Sequence, residues 1–235
     1  MTASTIQELE QFAEDHSGWL FRGHRDPEWK LETSLERTCH RCCVNQIDYE
    51  RTIWREFRRH AHSFLSYLKR VPDDKETFEW LALMQHYGAP TRLLDFTYSF
   101  WIAVFFAFEE ADRDCAIVAL DPSSLAQNVA GADYNKILRE NIDTGQRSDD
   151  RLYRNVPFYT NDRLAIQKGT FVFSLNLNRK FHDLVIQNQK VFEQLNVSAK
   201  LFPDIRNKLN DFNCNSRMLF PGIDGYARYF KNHTT

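Results

Sequence analysis

The chain has 235 residues, 43% of them hydrophobic, and a formal net charge of −2. That length supports one sizeable core and does not demand two, so a single domain over residues 1–235 is expected. A near-neutral balance supplies no general field for drawing in nucleic acid or an anionic membrane, and no run of about 18 apolar residues is present to span a bilayer. A nucleic-acid partner is therefore not indicated by net charge, although a local basic patch stays open. The N-terminal segment, with Glu8, Glu10 and Glu14, lacks the basic start and apolar run of a signal peptide, which sets the expectation of a cytoplasmic protein. The odd count of five cysteines fits reduced thiols better than a disulfide framework.

In chain order, Ile6 to Asp15 reads as a short helix capped by Thr5. Trp19-Leu20-Phe21 suits a buried strand that Gly23 stops. Residues 25–45 read as irregular. Tyr49, Ile53, Phe57, Phe64 and Leu68 recur at near-helical spacing and predict a long helix from Ile47 to Arg70. A second helix through Phe78, Leu81, Leu83 and Met84 should end near Gly88, before Pro90. Phe100 to Ala111 is apolar nearly all round, which predicts a buried helix, and Cys115 to Leu120 a buried strand closed by Asp121-Pro122. Residues 123–153, including the polar stretch Asn141 to Ser148, read as a surface excursion. Thr170 to Leu175 alternates as a strand with one buried face. Another strand is expected near Leu184-Ile186, a helix from Pro203 to Phe212, and a last helix reaching Phe230. Long helices early and strands late indicate the α+β class.

Motif chemistry narrows the function by absence. No Gly-x-x-x-x-Gly-Lys, Gly-x-Gly-x-x-Gly or Gly-x-Ser-x-Gly pattern occurs. Cys39, Cys42 and Cys43 lack the second ligand pair that zinc needs, so no metal is expected there. Arg51, Arg55, Arg58, Arg59, His60 and His62 read as a solvated helix face with partners such as Glu50 and Glu56, while Trp54 and Phe57 read as core. His86 reads as a packed or capping residue before a catalyst. Arg92 and Asp95 are expected to form a structural ion pair.

Four stretches carry a resemblance: Phe21-Arg22-Gly23-His24, Trp80 to Thr97, Arg163 to Phe171, and Leu219 to Gly225. In this order they resemble the FRG domain family, named after its Phe-Arg-Gly motif, along nearly the whole chain. The order of elements is in turn similar to that of ADP-ribosyltransferases. That likeness implies helices packed on antiparallel strands in a split sheet core, with NAD as substrate and no metal. It also implies cleavage of the nicotinamide–ribose bond and transfer to a macromolecular target, in a bacterial defence or toxin setting. By the same likeness Arg22 and Gly23 seat NAD, Thr97 or Ser99 shapes the nicotinamide pocket, and Gln167 meets the ribose. The catalytic residues it implies are Arg22, Asp95 and Gln167. The chain departs from the pattern where a Glu is expected, since Gln167 stands there. A neutral amide offers no full charge to an oxocarbenium-like transition state, so Asp95 is the candidate replacement. The alternative reading is a non-catalytic module that binds a nucleotide or a partner in the same cleft.

Overall fold

The computed structural model describes residues 1–67, 70–127, 134–146, 149–159, 162–187 and 191–232. Its strands are β1 (Thr2–Ala3), β2 (Leu20–His24), β3 (Leu94–Thr97), β4 (Cys115–Leu120), β5 (Ala126–Gln127), β6 (Leu152–Asn155), β7 (Gly169–Ser174) and β8 (Phe192–Val197). Its first helices are α1 (Ile6–Asp15), α2 (Ser34–Cys42), α3 (Gln46–Ala61), α4 (Thr77–His86), α5 (Phe100–Phe108) and α6 (Tyr134–Thr144). They are followed by α7 (Asp162–Ile166), α8 (Phe181–Ile186), α9 (Phe202–Asp211), α10 (Ser216–Leu219) and α11 (Ile223–Asn232). The class is α+β.

Among the described residues the strands form one sheet in the order β1-β8-β4-β2-β3-β7-β6-β5. The expected split, antiparallel sheet is corrected on two counts. The sheet is continuous, and it is mixed, because β1 runs parallel to β8 and β5 parallel to β6. Its six central strands are antiparallel. One joint in it is thin. β2 and β4 pair over five residues, whereas β2 and β3 share the single pair Phe21↔Thr97.

Several elements follow directly from local chemistry. Thr5 and Glu8 form a capping box that starts α1, each side chain accepting the other's backbone N–H. Gly88, at φ +80°, ends α4, and Ala89 N–H reaches back to the Met84 carbonyl. Helix α5 (FWIAVFFAF) has no polar face because it lies between the sheet and α9, where Phe100, Ala103, Val104 and Ala107 are buried beside Phe21 and Ile205.

Other expectations need correcting. Gly23 does not stop β2 but sits inside it, where a Cβ would lie 2.2 Å from the Ala103 carbonyl and 2.4 Å from the Ala107 nitrogen. Its role is the close approach of α5 to the strand. The stretch read as irregular contains α2, started by a second capping box between Thr33 and Glu36. The long helix ends at Ala61 and continues as a 3₁₀ segment, His62–Tyr67, kinked at Phe64; Leu68 lies outside the described residues. The supposed excursion holds β5, α6 and β6, and Arg147 and Ser148 fall outside the described residues. Strand β7 is buried on both faces, not one. Leu184-Ile186 is helical: Phe181, Leu184 and Val185 are the buried positions of α8, at helical spacing. Strand β8 was not expected, because Glu193, Gln194 and Asn196 dilute its apolar signal.

The Arg92–Asp95 pair is also corrected. Arg92 is buried and donates to the equally buried Glu50, and also to Asn141 Oδ1 and the Ser174 carbonyl. Glu50 is thus a core partner, not one of the surface counter-charges. The helix-face basic residues do find acids, as with Arg51 on Asp48, Arg55 on Asp143, Arg58 on Asp74 and Arg59 on Glu56. Trp54 is fully buried and Phe57 packs against the same cluster.

Candidate functional site

Beyond Phe21↔Thr97 the β2–β3 ladder stops and the strands part. Arg22 bridges the gap by donating from Nη1 to the Asp95 carbonyl at 2.7 Å. A cleft of about 330 Å³ opens there. Its floor comes from β2, β3 and β7, one wall from Ala82, Gln85 and His86 of α4, and the far end from Phe106, Glu109, Glu110 and Arg228.

Asp95 and Thr97 lie two apart on β3, opposite Phe171 and Gly169 of β7, and all four line the cleft. The cleft therefore unites Arg22, Gly23, Asp95, Thr97 and Gln167 of the residues expected from sequence. Ser99 is not among the lining residues; it stands at the N-cap of α5. Gly23 contributes its backbone there, while the face that lacks a Cβ is filled by α5.

Two expected roles change in detail. The Thr97 hydroxyl donates to the Gln167 carbonyl at 2.7 Å and accepts from Ser99 N–H, so it ties β3 to the turn before β7. Gln167 donates from Nε2 to the Leu219 carbonyl at 2.9 Å, which fastens α10 to the cleft rim.

The electrostatics are uneven. Arg22, Arg25, Arg163 and Arg228 face three carboxylates, Asp95, Glu109 and Glu110, leaving an excess of positive charge. Four of these residues neutralise one another: Arg228 pairs with Glu109 at 2.6 Å and reaches Glu110 at 3.4 Å, and Arg25 pairs with Glu110. Ser216 also donates to Glu109. Arg22 and Arg163 are different. Among the described residues neither has a carboxylate within ion-pair distance, and the Arg22 Nε is buried without a hydrogen-bond partner. Burial lowers the pKa of both guanidinium groups, while the charge of Asp95 acts in the opposite direction on each. The Arg163 guanidinium lies over the Phe220 ring, 4.6 Å from its centroid. His86 lines the same cleft, its pKa lowered by burial and by Arg163. His24, one strand position beyond Gly23, is pushed down to about 3 by burial and then by the charge of Arg22.

Sequence reading passed over Arg163, Arg25, Gln85, Glu109, Glu110 and Arg228. Arg163 and Gln85 stand inside the stretches that carried the resemblance, which was the available signal. Glu109, Glu110 and Arg228 gave none, because only the packing of α11 against the end of α5 brings them to the cleft. Among the described residues no group of three His, Cys, Asp or Glu side chains is placed to hold a metal ion, and no helix is long and apolar enough to cross a membrane.

No curated protein and no solved structure matches the chain. Residues 17–115, which carry Phe21-Arg22-Gly23 and the stretch from Trp80 to Thr97, match the family model of the FRG domain.

Proposed function

We propose that the cleft binds NAD and that the chain cleaves its nicotinamide–ribose bond, passing ADP-ribose to water or to a macromolecular acceptor. The fold in this reading is ADP-ribosyltransferase-like, with the Arg-Gly strand β2, the β3–α5–β4 unit and β7 around the nucleotide. The observation that carries the reading is the pair Arg22 and Arg163. Arg22 is half-buried with its Nε unpaired, Arg163 lies exposed over Phe220, and Asp95 acts on both from beyond ion-pair distance, so the two guanidinium groups offer this end of the cleft positive charge for an anionic ligand. A guanidinium fork matches two phosphate oxygens, and two forks suit a pyrophosphate.

The reaction needs one more group. When the C–N bond breaks, its electron pair leaves with neutral nicotinamide, and positive charge develops on the ribose. A fixed carboxylate beside that charge stabilises it. Asp95 supplies this charge in our reading, in place of the Glu that Gln167 replaces. Water or an acceptor hydroxyl then bonds the ribose carbon and releases its proton. The rival reading, a nucleotide- or partner-binding module without chemistry, is favoured by one observation: the Gln167 amide is engaged with the Leu219 carbonyl. Incubating the purified chain with NAD and quantifying free nicotinamide decides between them. Release that disappears in Asp95→Asn supports cleavage; NAD binding without release supports the module.

A further inference from the structure

Asp95 is held by a hydrogen-bond chain with a fixed direction. Thr91 is fully buried, and its Oγ1 accepts from the Leu93 backbone N–H at 3.2 Å. The same hydroxyl donates to Gln85 Oε1 at 2.6 Å. Gln85 Nε2 then donates to Asp95 Oδ2 at 2.8 Å. One end of the chain is a backbone N–H, which only donates, and the other an ionised carboxylate, which only accepts. Between these ends every proton has one consistent placement. The Leu93 N–H occupies one lone pair of Thr91, and the Thr91 proton faces the amide oxygen of Gln85. The amide N–H₂ is therefore turned to Asp95. A flipped amide would set its oxygen against the Asp95 carboxylate oxygen, so the carboxylate end fixes the orientation.

Local structure keeps the chain rigid. Gln85 sits in the last turn of α4, and the Gly88 turn and Pro90 bring the backbone back so that Thr91 lies beside the residue six positions earlier. The Thr91 backbone is in turn anchored on Ser34, which accepts from Thr91 N–H at 3.0 Å and donates to its carbonyl at 3.3 Å. We infer that Gln85, oriented by Thr91, is a positioning residue that aims the Asp95 carboxylate at the reacting ribose. This rests on the NAD-cleavage reading. The ligand is gripped elsewhere, by Arg22 and Arg163, so loss of Gln85 disturbs aim and leaves grip intact.

The test is steady-state nicotinamide release by the unmodified chain, Gln85→Leu, Thr91→Val, Thr91→Ser and Asp95→Asn. Misplacing a reacting group can cost up to about a hundredfold, so Gln85→Leu and Thr91→Val are expected to lower kcat about tenfold or more. KM for NAD should stay within about twofold, because no ground-state contact is lost. Thr91→Ser keeps the hydroxyl and should restore most of kcat. Should Thr91→Val fail to fold, Gln85→Leu carries the test, since Gln85 is only partly buried on its helix. An unchanged kcat in Gln85→Leu, or a raised KM at constant kcat, overturns the positioning role and leaves the cleavage reading standing. If the unmodified chain releases no nicotinamide the cleavage reading itself fails, if Asp95→Asn releases as much as the unmodified chain the role of Asp95 fails, and the role of Gln85 falls with either.

Discussion

Arg22→Ala separates a ligand-gripping arginine from a structural one, because the two roles predict opposite stability effects. In the free protein Arg22 makes one charge-assisted hydrogen bond, to the Asp95 carbonyl, and leaves Nε buried and unpaired. Losing that bond costs about 1.5–3 kcal/mol. Relief of a half-buried, desolvated guanidinium with no carboxylate within ion-pair distance acts in the other direction and is of similar order. The net change in stability should be small, and at about 2–4 °C per kcal/mol for a chain of this size the Tm should stay within about 4 °C of the parent. NAD binding should respond much more strongly. A charge-assisted contact of roughly 1.5–3 kcal/mol is lost, so Kd should rise about tenfold to hundredfold. Arg22→Lys should recover only part of this, since a point charge cannot reproduce the fork. Calorimetric titration with NAD and thermal melts on the same preparations read both quantities. A sharp fall in Tm with an unchanged Kd would refute the reasoning and make Arg22 a structural residue.

Three further outcomes follow from the geometry. Gly23→Ala places a methyl group against the Ala103 and Ala107 backbone, and since backbone cannot step aside the loss should reach about 3 kcal/mol in urea unfolding; a loss below about 1 kcal/mol would mean α5 shifts freely. Gln167→Glu sets a carboxylate against the Leu219 carbonyl, so it should destabilise by about 1–3 kcal/mol and not increase nicotinamide release. A gain of release would locate the missing charge at residue 167 and displace Asp95 from the proposal. His24, with a folded-state pKa of about 3 against 6.5 unfolded, binds fewer protons in the native state between those values, so its contribution is complete above pH 6.5 and is lost as the pH falls. Between pH 7.5 and 4.5 this amounts to about 2–3 kcal/mol, which should vanish from the unfolding free energies of His24→Gln; equal pH slopes in both proteins would contradict the burial of a neutral imidazole.

The sequence revealed elements whose residues act locally and was silent where partners are distant. The Thr5 cap of α1, the Gly88 stop of α4 and the all-apolar α5 are local signals; the first two stand where the sequence placed them, and α5 starts at Phe100 as expected but ends at Phe108 and not at Ala111. Strand β8 was hidden because its polar residues are tolerated by pairing with β4, a partner read from far along the chain. Short α8 was mistaken for a strand because six residues with a buried Val do not separate the two periods. At the cleft, Arg22, Asp95, Thr97 and Gln167 converge as expected, since flanking strands bring them together. The pairing of Arg92 was misjudged because Asp95 is near in sequence, whereas Glu50 and Asn141 reach Arg92 only through the packing of α3 and α6. The same limit hid Arg228, whose partners lie on the far end of α5.

A crystal structure grown with NAD tests the central claim most directly. The account predicts the pyrophosphate within hydrogen-bond reach of both Arg22 and Arg163, with the nicotinamide ribose beside Asp95. Density for NAD elsewhere on the chain, or an empty cleft at saturating NAD, would contradict it.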